Sequence, residues 1–363
     1  MKKYEILLKE LEKEIESCLD SGTLHFPTEQ ELCRRFGMSR QTVRKAIALL
    51  TDRGLLRSRQ GSGIFLTGLR PRPTDNQITV MLASPDEYIF PGIYSALHHS
   101  LSDKGFTLRL LENGGDFMQE RAHLEAMLKT PPRALLTEGF SALPNPNASL
   151  YDALSAAGTS MLFLFAKNPN IRGQHCLHED NVGGAAMLVR SLYEHGHRKI
   201  RGIFRTDTQQ GMERCYGFLC ALRDYGLPFG PEETLQLTGR SWELLFDPNE
   251  KKTSRQLLER FLSPCTGLVC YNDSLAYEIL HIASALSISV PEELSLVSFD
   301  ASYLRESGPV IISSLAHKPE SLPEAAARRI TALLSRQTCD DQDLGWQLQP
   351  GNSVARLPIG APV

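Results

Sequence analysis

The sequence predicts an α/β chain in two unequal parts: a small N-terminal unit of helices and a basic hairpin, then a larger two-lobed domain on parallel sheets. Three observations predict it. Residues 27–66 pair capped amphipathic helices with a glycine-tipped hairpin, and positive charge is concentrated there. From residue 78 onward, short apolar strands alternate with amphipathic helices, and the alternation runs through two cycles. At 363 residues the chain has room for two or three domains, and 42% hydrophobic content suffices for ordinary cores.

The N-terminal elements follow from their caps and spacing. Leu7, Leu8, Leu11, Ile15 and Leu19 recur at helical intervals after Tyr4, giving a first helix. Thr28 with Glu31 forms a capping box, after which Leu32 and Phe36 supply an apolar face. Gly37 suits the left-handed residue that ends such a helix. Ser39 is a second N-cap, and Val43, Ala46, Ile47 and Leu50 share one face of the helix that follows. Gly54 closes it. Its first turn and opposite face carry Arg40, Gln41, Thr42, Arg44 and Lys45, residue types that reach base edges and phosphate oxygens. Residues 55–59 and 64–66 read as strands around Gly61-Ser62-Gly63. Helix, turn, basic helix and hairpin together make a winged helix-turn-helix, which places one helix in a DNA major groove.

Charge agrees. Residues 31–70 hold nine Lys or Arg against two acids, whereas the whole chain carries a net −3. A basic patch on an acidic protein gathers polyphosphate by counterion release. Residues 69–77 (LRPRPTDNQ) have two prolines and no apolar period, and are expected to be a linker between residues 1–68 and 78–363.

In the larger part, strands are expected at 78–82, 106–111, 134–136, 161–165, 200–204, 234–237, 267–270 and 294–299. Helices are expected at 92–104, 116–129, near 150, and at 181–194, 212–225, 253–261 and 274–286. Sheets of this kind bind ligands beyond the carboxyl ends of their strands, so a cleft between the lobes is the expected site. Tyr88 and Glu138 follow strands of the first cycle. Arg214, Asn272, Asp273 and Asp300 follow strands of the second. Such groups hold hydroxyls and stack on sugar faces. Each has a structural alternative: Asp273 as a helix cap, Arg214 as an ion-pair partner.

The first segment resembles the DNA-binding domain of GntR-type bacterial regulators, through Pro27-Thr28-Glu29, Ser39-Arg40-Gln41-Thr42-Val43-Arg44 and Gly61-Ser62-Gly63. The resemblance implies a DNA-facing set of Thr28, Glu29, Ser39, Arg40, Gln41, Thr42, Arg44, Lys45, Gln60 and Gly61. Phe26 stands where Leu is usual before Pro27. EDNVGGAAMLVRSLYEHGHRKI, RCYGF, CYNDSLA and SVPEELSLVSFD resemble LacI/GalR-type effector domains, which are periplasmic-binding-protein-like. Tyr88-Ile89-Phe90-Pro91, Ser141-Ala142-Leu143 and the stretch from Gly202 to Gly211 bring the whole close to the arabinose-responsive repressor group. This implies effector contacts at Arg214, Asn272, Asp273 and Asp300, with Tyr88, Glu138 and His317 as further candidates. Ala301, Ser298, Phe165 and the Gly139-Phe140 stretch depart from the pattern, and suit another pentose, another neutral sugar or a nucleoside.

Other chemistry finds little support. His175, Cys176, His178, Glu179 and Asp180 would alternate across a strand, and no second cluster completes a zinc set. Eight cysteines are scattered without a CxxC pair, which fits reduced thiols. There is no Walker loop, strand-linked GxGxxG or GxSxG elbow. No cofactor and no metal are expected, and no apolar run reaches the roughly 20 residues of a membrane span. Four glutamates between residues 10 and 16 are unlike a signal peptide, which points to the cytoplasm. The expected protein is a homodimeric, ligand-responsive repressor binding double-stranded operator DNA and released by a small sugar. The alternative is the same DNA reader fused to an enzyme-like or nucleoside-binding domain.

Overall fold

The computed structural model describes residues 3–20, 23, 25–52, 55–59, 63–67, 76–172, 174–246, 251–335, 337 and 343–358. The N-terminal unit comprises α1 (Lys3–Asp20), β1 (His25–Phe26), α2 (Glu29–Phe36), α3 (Arg40–Asp52), β2 (Leu56–Arg59) and β3 (Gly63–Leu66). Leu7, Leu11 and Ile15 of α1, Leu32 of α2 and Val43, Ala46 and Leu50 of α3 form one fully buried core. The capping box is made: Thr28 Oγ1 accepts from the Glu31 N–H, and Glu31 accepts from the Thr28 N–H at 2.7 Å. Gly37 ends α2 at φ 61°.

One element was not read from sequence. β1 pairs with β3 antiparallel, Phe26 opposite Ile64, so the hairpin becomes a three-stranded sheet. Phe26 is fully buried there, which explains a large aromatic at that place. Gly54, Gln60, Gly61 and most of the expected linker lie outside the described residues.

The first lobe runs β4 (Gln77–Leu82), α4 (Phe90–Ser102), β5 (Thr107–Glu112), α5 (Phe117–Lys129), β6 (Ala134–Glu138), α6 (Ala148–Ala156), β7 (Ser160–Phe165) and β8 (His175–His178). Its sheet is wholly parallel, in the order β5-β4-β6-β7-β8. Apolar clusters cover both faces. That is why Ala134, Leu135 and Leu136 run together rather than alternate with polar residues.

The second lobe contains α7 (Asn181–Glu194), β9 (Ile200–Arg205), α8 (Gln209–Asp224), β10 (Thr234–Leu237), α9 (Gly239–Phe246), α10 (Lys251–Leu262), β11 (Gly267–Cys270), α11 (Asp273–Ala285), β12 (Ser295–Phe299) and β13 (Ser313–Lys318). Then come α12 (Leu322–Leu334) and β14 (Gly345–Gln349). The sheet order is β10-β9-β11-β12-β13-β14, parallel except for β14. α9 and everything after β12 go beyond the elements expected from sequence. α12 does not stay with its sequence neighbours: Leu322, Ala325, Ala326 and Ile330 pack into the first lobe, beside Leu97, Leu136 and Leu162. The chain therefore passes between lobes three times, after β8, after β13 and after α12.

Candidate functional site

On the N-terminal unit, Ser39 Oγ accepts from the Thr42 N–H at 3.3 Å, fixing the start of α3. Arg40, Gln41, Arg44 and Lys45 are exposed on this helix, and Thr42 is half-buried. Glu29 lies between two guanidiniums, 3.4 Å from Arg40 Nε and 3.1 Å from Arg44 Nε. Thr28 is engaged in its cap and Glu29 in these pairs. Exposed Arg57 continues the basic surface along β2. Exposed guanidiniums of this kind are the groups that contact phosphate oxygens in protein–DNA complexes generally.

A cleft of about 900 Å³ separates the two lobes, and both sheets present their strand ends to it. Tyr88, Glu138, Arg214, Asn272 and Asp300, all expected from sequence, line it. Arg214 is its buried hub. Its Nε donates to Asn181 Oδ1 at 2.9 Å and its Nη1 to the Tyr271 carbonyl at 2.7 Å. Its Nη2 reaches Glu179 Oε2 at 3.2 Å and Asp300 Oδ1 at 3.4 Å. The guanidinium also lies 4.1 Å from the Phe299 ring centroid, a cation–π contact strengthened by burial.

One arginine shared by two carboxylates leaves an imbalance. Burial alone would raise Glu179, yet hydrogen bonds from His317 and Gln210 and the Arg214 charge hold it down to about 2. Asp300 has weaker compensation, so burial raises it above the usual carboxylate range despite Arg214. Burial likewise raises Glu138, which accepts from the Ala83 N–H at 3.0 Å. Across the cleft wall, Glu87, Glu138, Glu179, Asp207, Glu243 and Asp300 face two cations, Arg205 and Arg214. The cavity is acidic and rich in acceptors.

Direct bonds already span the cleft. Tyr88 Oη of the first lobe donates to Asp300 Oδ2 at 2.9 Å and accepts from the Asp273 N–H at 3.2 Å. The Ala142 N–H donates to the Asp207 carbonyl at 3.2 Å. Tyr88, Phe165 and Asp300 hold positive φ angles of 52°, 71° and 90°, a concentration of backbone strain at the cleft.

Two expected contacts stand behind the wall instead. Asp273 is fully buried and accepts from the Ser302 N–H and Ser314 Oγ, both at 2.6 Å. Burial and the Asp300 charge push it up to about 6. The cap of α11 is Asn272, whose Oδ1 accepts from the Leu275 N–H at 3.0 Å. His317 lies 2.8 Å from Glu179 and stacks on Trp346 at 4.1 Å, steadying the carboxylate that steadies Arg214. Sequence reasoning missed Glu179, Asn181, Arg205, Asp207 and Trp242 as cleft or hub residues. Glu179 and Asn181 sit in the quoted EDNVGG stretch, so a signal was present; Trp242 belongs to the unexpected α9. Among the described residues no group of His, Cys, Asp and Glu is arranged to hold a metal, and no helix is long and apolar enough to cross a membrane.

Residues 7–66 match the family model for bacterial regulatory proteins of the gntR family, and residues 189–354 match that for a periplasmic binding protein-like domain. The chain is 30% identical over 341 residues to an arabinose metabolism transcriptional repressor of Geobacillus stearothermophilus, covering 91% of this chain and 92% of that protein. The chain belongs to the GntR family of bacterial regulatory proteins. A repressor of the same description from Halalkalibacterium halodurans is 31% identical, over 88% of this chain and 86% of its own length. These relatives are transcriptional repressors and not enzymes, in keeping with the regulator expected from the sequence. Among solved structures, the regulator CelR in complex with cellobiose matches 93% of this GntR-family chain and 94% of its own, at 18% identity and TM-score 0.63. A transcription regulator GntR from Chromobacterium violaceum matches 76% and 98%, at 21% identity and TM-score 0.64. The first shares the fold over nearly the whole chain and the second over about three quarters of it, including, as expected, a LacI-type two-lobed domain.

Proposed function

We propose that this regulator represses carbohydrate-utilisation genes and leaves its operator when a small neutral sugar, arabinose or a close relative, enters the interlobe cleft. The acidic cleft around Arg214 carries the reading. Six carboxylates and two guanidiniums give hydroxyl groups many acceptors and repel a phosphate. The arabinose repressors at about 30% identity support the pentose. Residues 1–68 serve as the DNA reader, 69–77 as the linker and 78–363 as the effector domain, in a cytoplasmic homodimer with one reader per half-site. In this reading Arg40, Gln41, Thr42, Arg44 and Lys45 meet the major groove. Arg214, Asn272, Asp300, Glu138 and Tyr88 surround the sugar, with Asp273 and His317 supporting them from behind.

Ligand and DNA are then linked by a coupling free energy of typically about 1–3 kcal/mol. The test is a thermal-shift screen of pentoses, hexoses, sugar phosphates and nucleosides, followed by mobility shift on the gene's own promoter with each hit. A neutral sugar that raises the melting temperature and releases the promoter supports the proposal. A hit confined to phosphorylated or nucleoside ligands, or a sugar that binds and leaves DNA affinity unchanged, refutes it.

A further inference from the structure

The cleft is larger than one sugar ring requires. A pentose displaces on the order of 150–200 Å³, five or six water shares of about 30 Å³ each. The cleft, open to solvent on one side, encloses about 900 Å³ with its mouth included. Tyr88–Asp300 and Ala142–Asp207 already join the lobes across it.

The lining residues fall into two groups by exposure. One is buried: Glu179 and Arg214 are each only 1% exposed and Asn272 9%, with Phe165 at 3% and Tyr271 at 8%. The other is partly exposed and includes three further aromatic residues. Phe117 and Phe140 come from the first lobe with ring centroids 5.0 Å apart. Trp242 comes from α9 of the second lobe, edge-on to Tyr271 at 5.5 Å. Beside the phenylalanines the wall is formed by Gly114 and Gly115, at φ 59° and 66°. They put no side chain into this part of the cleft; even a Cβ at Gly115 would stand 3.9 Å from Phe140. Polar groups border the aromatic wall: the Arg205–Asp207 pair, with Arg205 5.6 Å from the Trp242 centroid, and exposed Glu243. Aromatic faces carry negative charge density that attracts the C–H face of a sugar ring, while carboxylates and a guanidinium take its hydroxyl edge.

We propose that the partly exposed aromatic compartment formed by Phe117, Phe140 and Trp242 is a second ring subsite, and that the effector it fits is a disaccharide whose first ring occupies the Arg214 chamber. This rests on the sugar-binding reading above and narrows it from a monosaccharide to a glycoside. A nucleobase would satisfy the stacking but offers the bordering carboxylates one or two N–H donors where a second sugar ring offers several hydroxyls.

The test is calorimetry on the full chain with three matched pairs: L-arabinose, D-xylose and D-glucose, each beside its own homodisaccharide, with a pyrimidine nucleoside and a pentose phosphate as competitors. In at least one pair the disaccharide binds about tenfold tighter or better than its monosaccharide. Trp242→Ala and, separately, Phe140→Ala bring that ratio down to about threefold or less. Trp242→Phe, which keeps an aromatic face and the packing around it, retains most of the preference. Equal affinities within each pair, or ratios unmoved by all three variants, overturn the subsite while leaving sugar control standing. Preference for the nucleoside or the phosphate overturns the disaccharide as its occupant, and binding of no sugar of either length overturns both readings.

Discussion

Removing the Tyr88 hydroxyl should weaken the effector without touching the chemistry of the effector pocket's arginine. Tyr88→Phe keeps the ring, its burial and its place at the mouth of the first lobe. It deletes the bond to the Asp300 carboxylate at 2.9 Å and leaves the Asp273 N–H, now 3.2 Å from the phenol oxygen, without that acceptor. Burial and the Asp300 and Asp273 charges hold the phenol well above its ordinary titration range, so at neutral pH it remains a donor. A hydrogen bond to a charged partner contributes about 1.5–3 kcal/mol net. In lobes that part, water takes over both sites, so the whole loss falls on the closed form. The closure equilibrium shifts by about 10- to 150-fold, and apparent effector affinity falls with the closed fraction. Calorimetric titration of parent and variant with the effecting sugar reads this directly, and mobility shift should show release from DNA at correspondingly higher sugar concentration. Affinities within twofold of each other would refute the idea that this bond holds the lobes together.

Further outcomes follow from other sites. Arg44→Ala should weaken promoter binding by about 1–3 kcal/mol and lower the salt slope by about 0.9, with the heat of effector binding unchanged; an unchanged slope would mean that Arg44 contacts no phosphate. His178 is raised to about 9 by its hydrogen bond to Glu213, against burial and with help from the Glu213 charge and Asp343. A folded value above the ordinary 6.5 stabilises fully below that pH and is lost as pH climbs through 9. After solvent screening this amounts to about 1–2 kcal/mol, so melting temperature should drop between pH 6.5 and 9.5, and less so in His178→Asn. Parallel losses in both proteins would clear His178 of the effect. Gly217→Ala would put a Cβ 2.5 Å from the Val182 carbonyl oxygen, prising α8 from α7 at a cost of about 1–3 kcal/mol. A denaturation midpoint equal to the parent's would show that the two helices have room to give.

What could be read in advance depended on how local the cause was. The Thr28–Glu31 box, the left-handed Gly37 and the Ser39 cap are decided within four residues, and each is found in place. The strand-helix rhythm from residue 78 announced both sheets because buried parallel strands are continuously apolar. β1 escaped notice because two residues carry no period; Phe26 stands out only once Ile64 is opposite it. α12 offered a local sign, the Ser321–Glu324 capping box before an Ala-rich run, yet no pattern within it says that it returns to the other lobe. The cleft followed the same divide. Arg214 and Asp300 were visible at strand ends. Arg214 meets Glu179 across 35 residues of chain, and Glu179 meets His317 across 138, separations that no local pattern spans. Asp273 sits in the right tripeptide, but its side chain turns inward to Ser314.

The wandering of α12 bears on how the protein is made. One face of the first sheet, with Ile78, Val80, Leu136, Leu162 and Leu164, is covered in part by residues 322–334. On the ribosome those strands emerge long before their cover, and a greasy surface waits in the open while the whole second lobe is added. Nascent chains stalled before residue 322 should therefore cling to chaperones or to one another. The DNA reader buries its own core within residues 7–66 and needs no such escort, so birth order runs opposite to control: the hand is ready before the brain that restrains it.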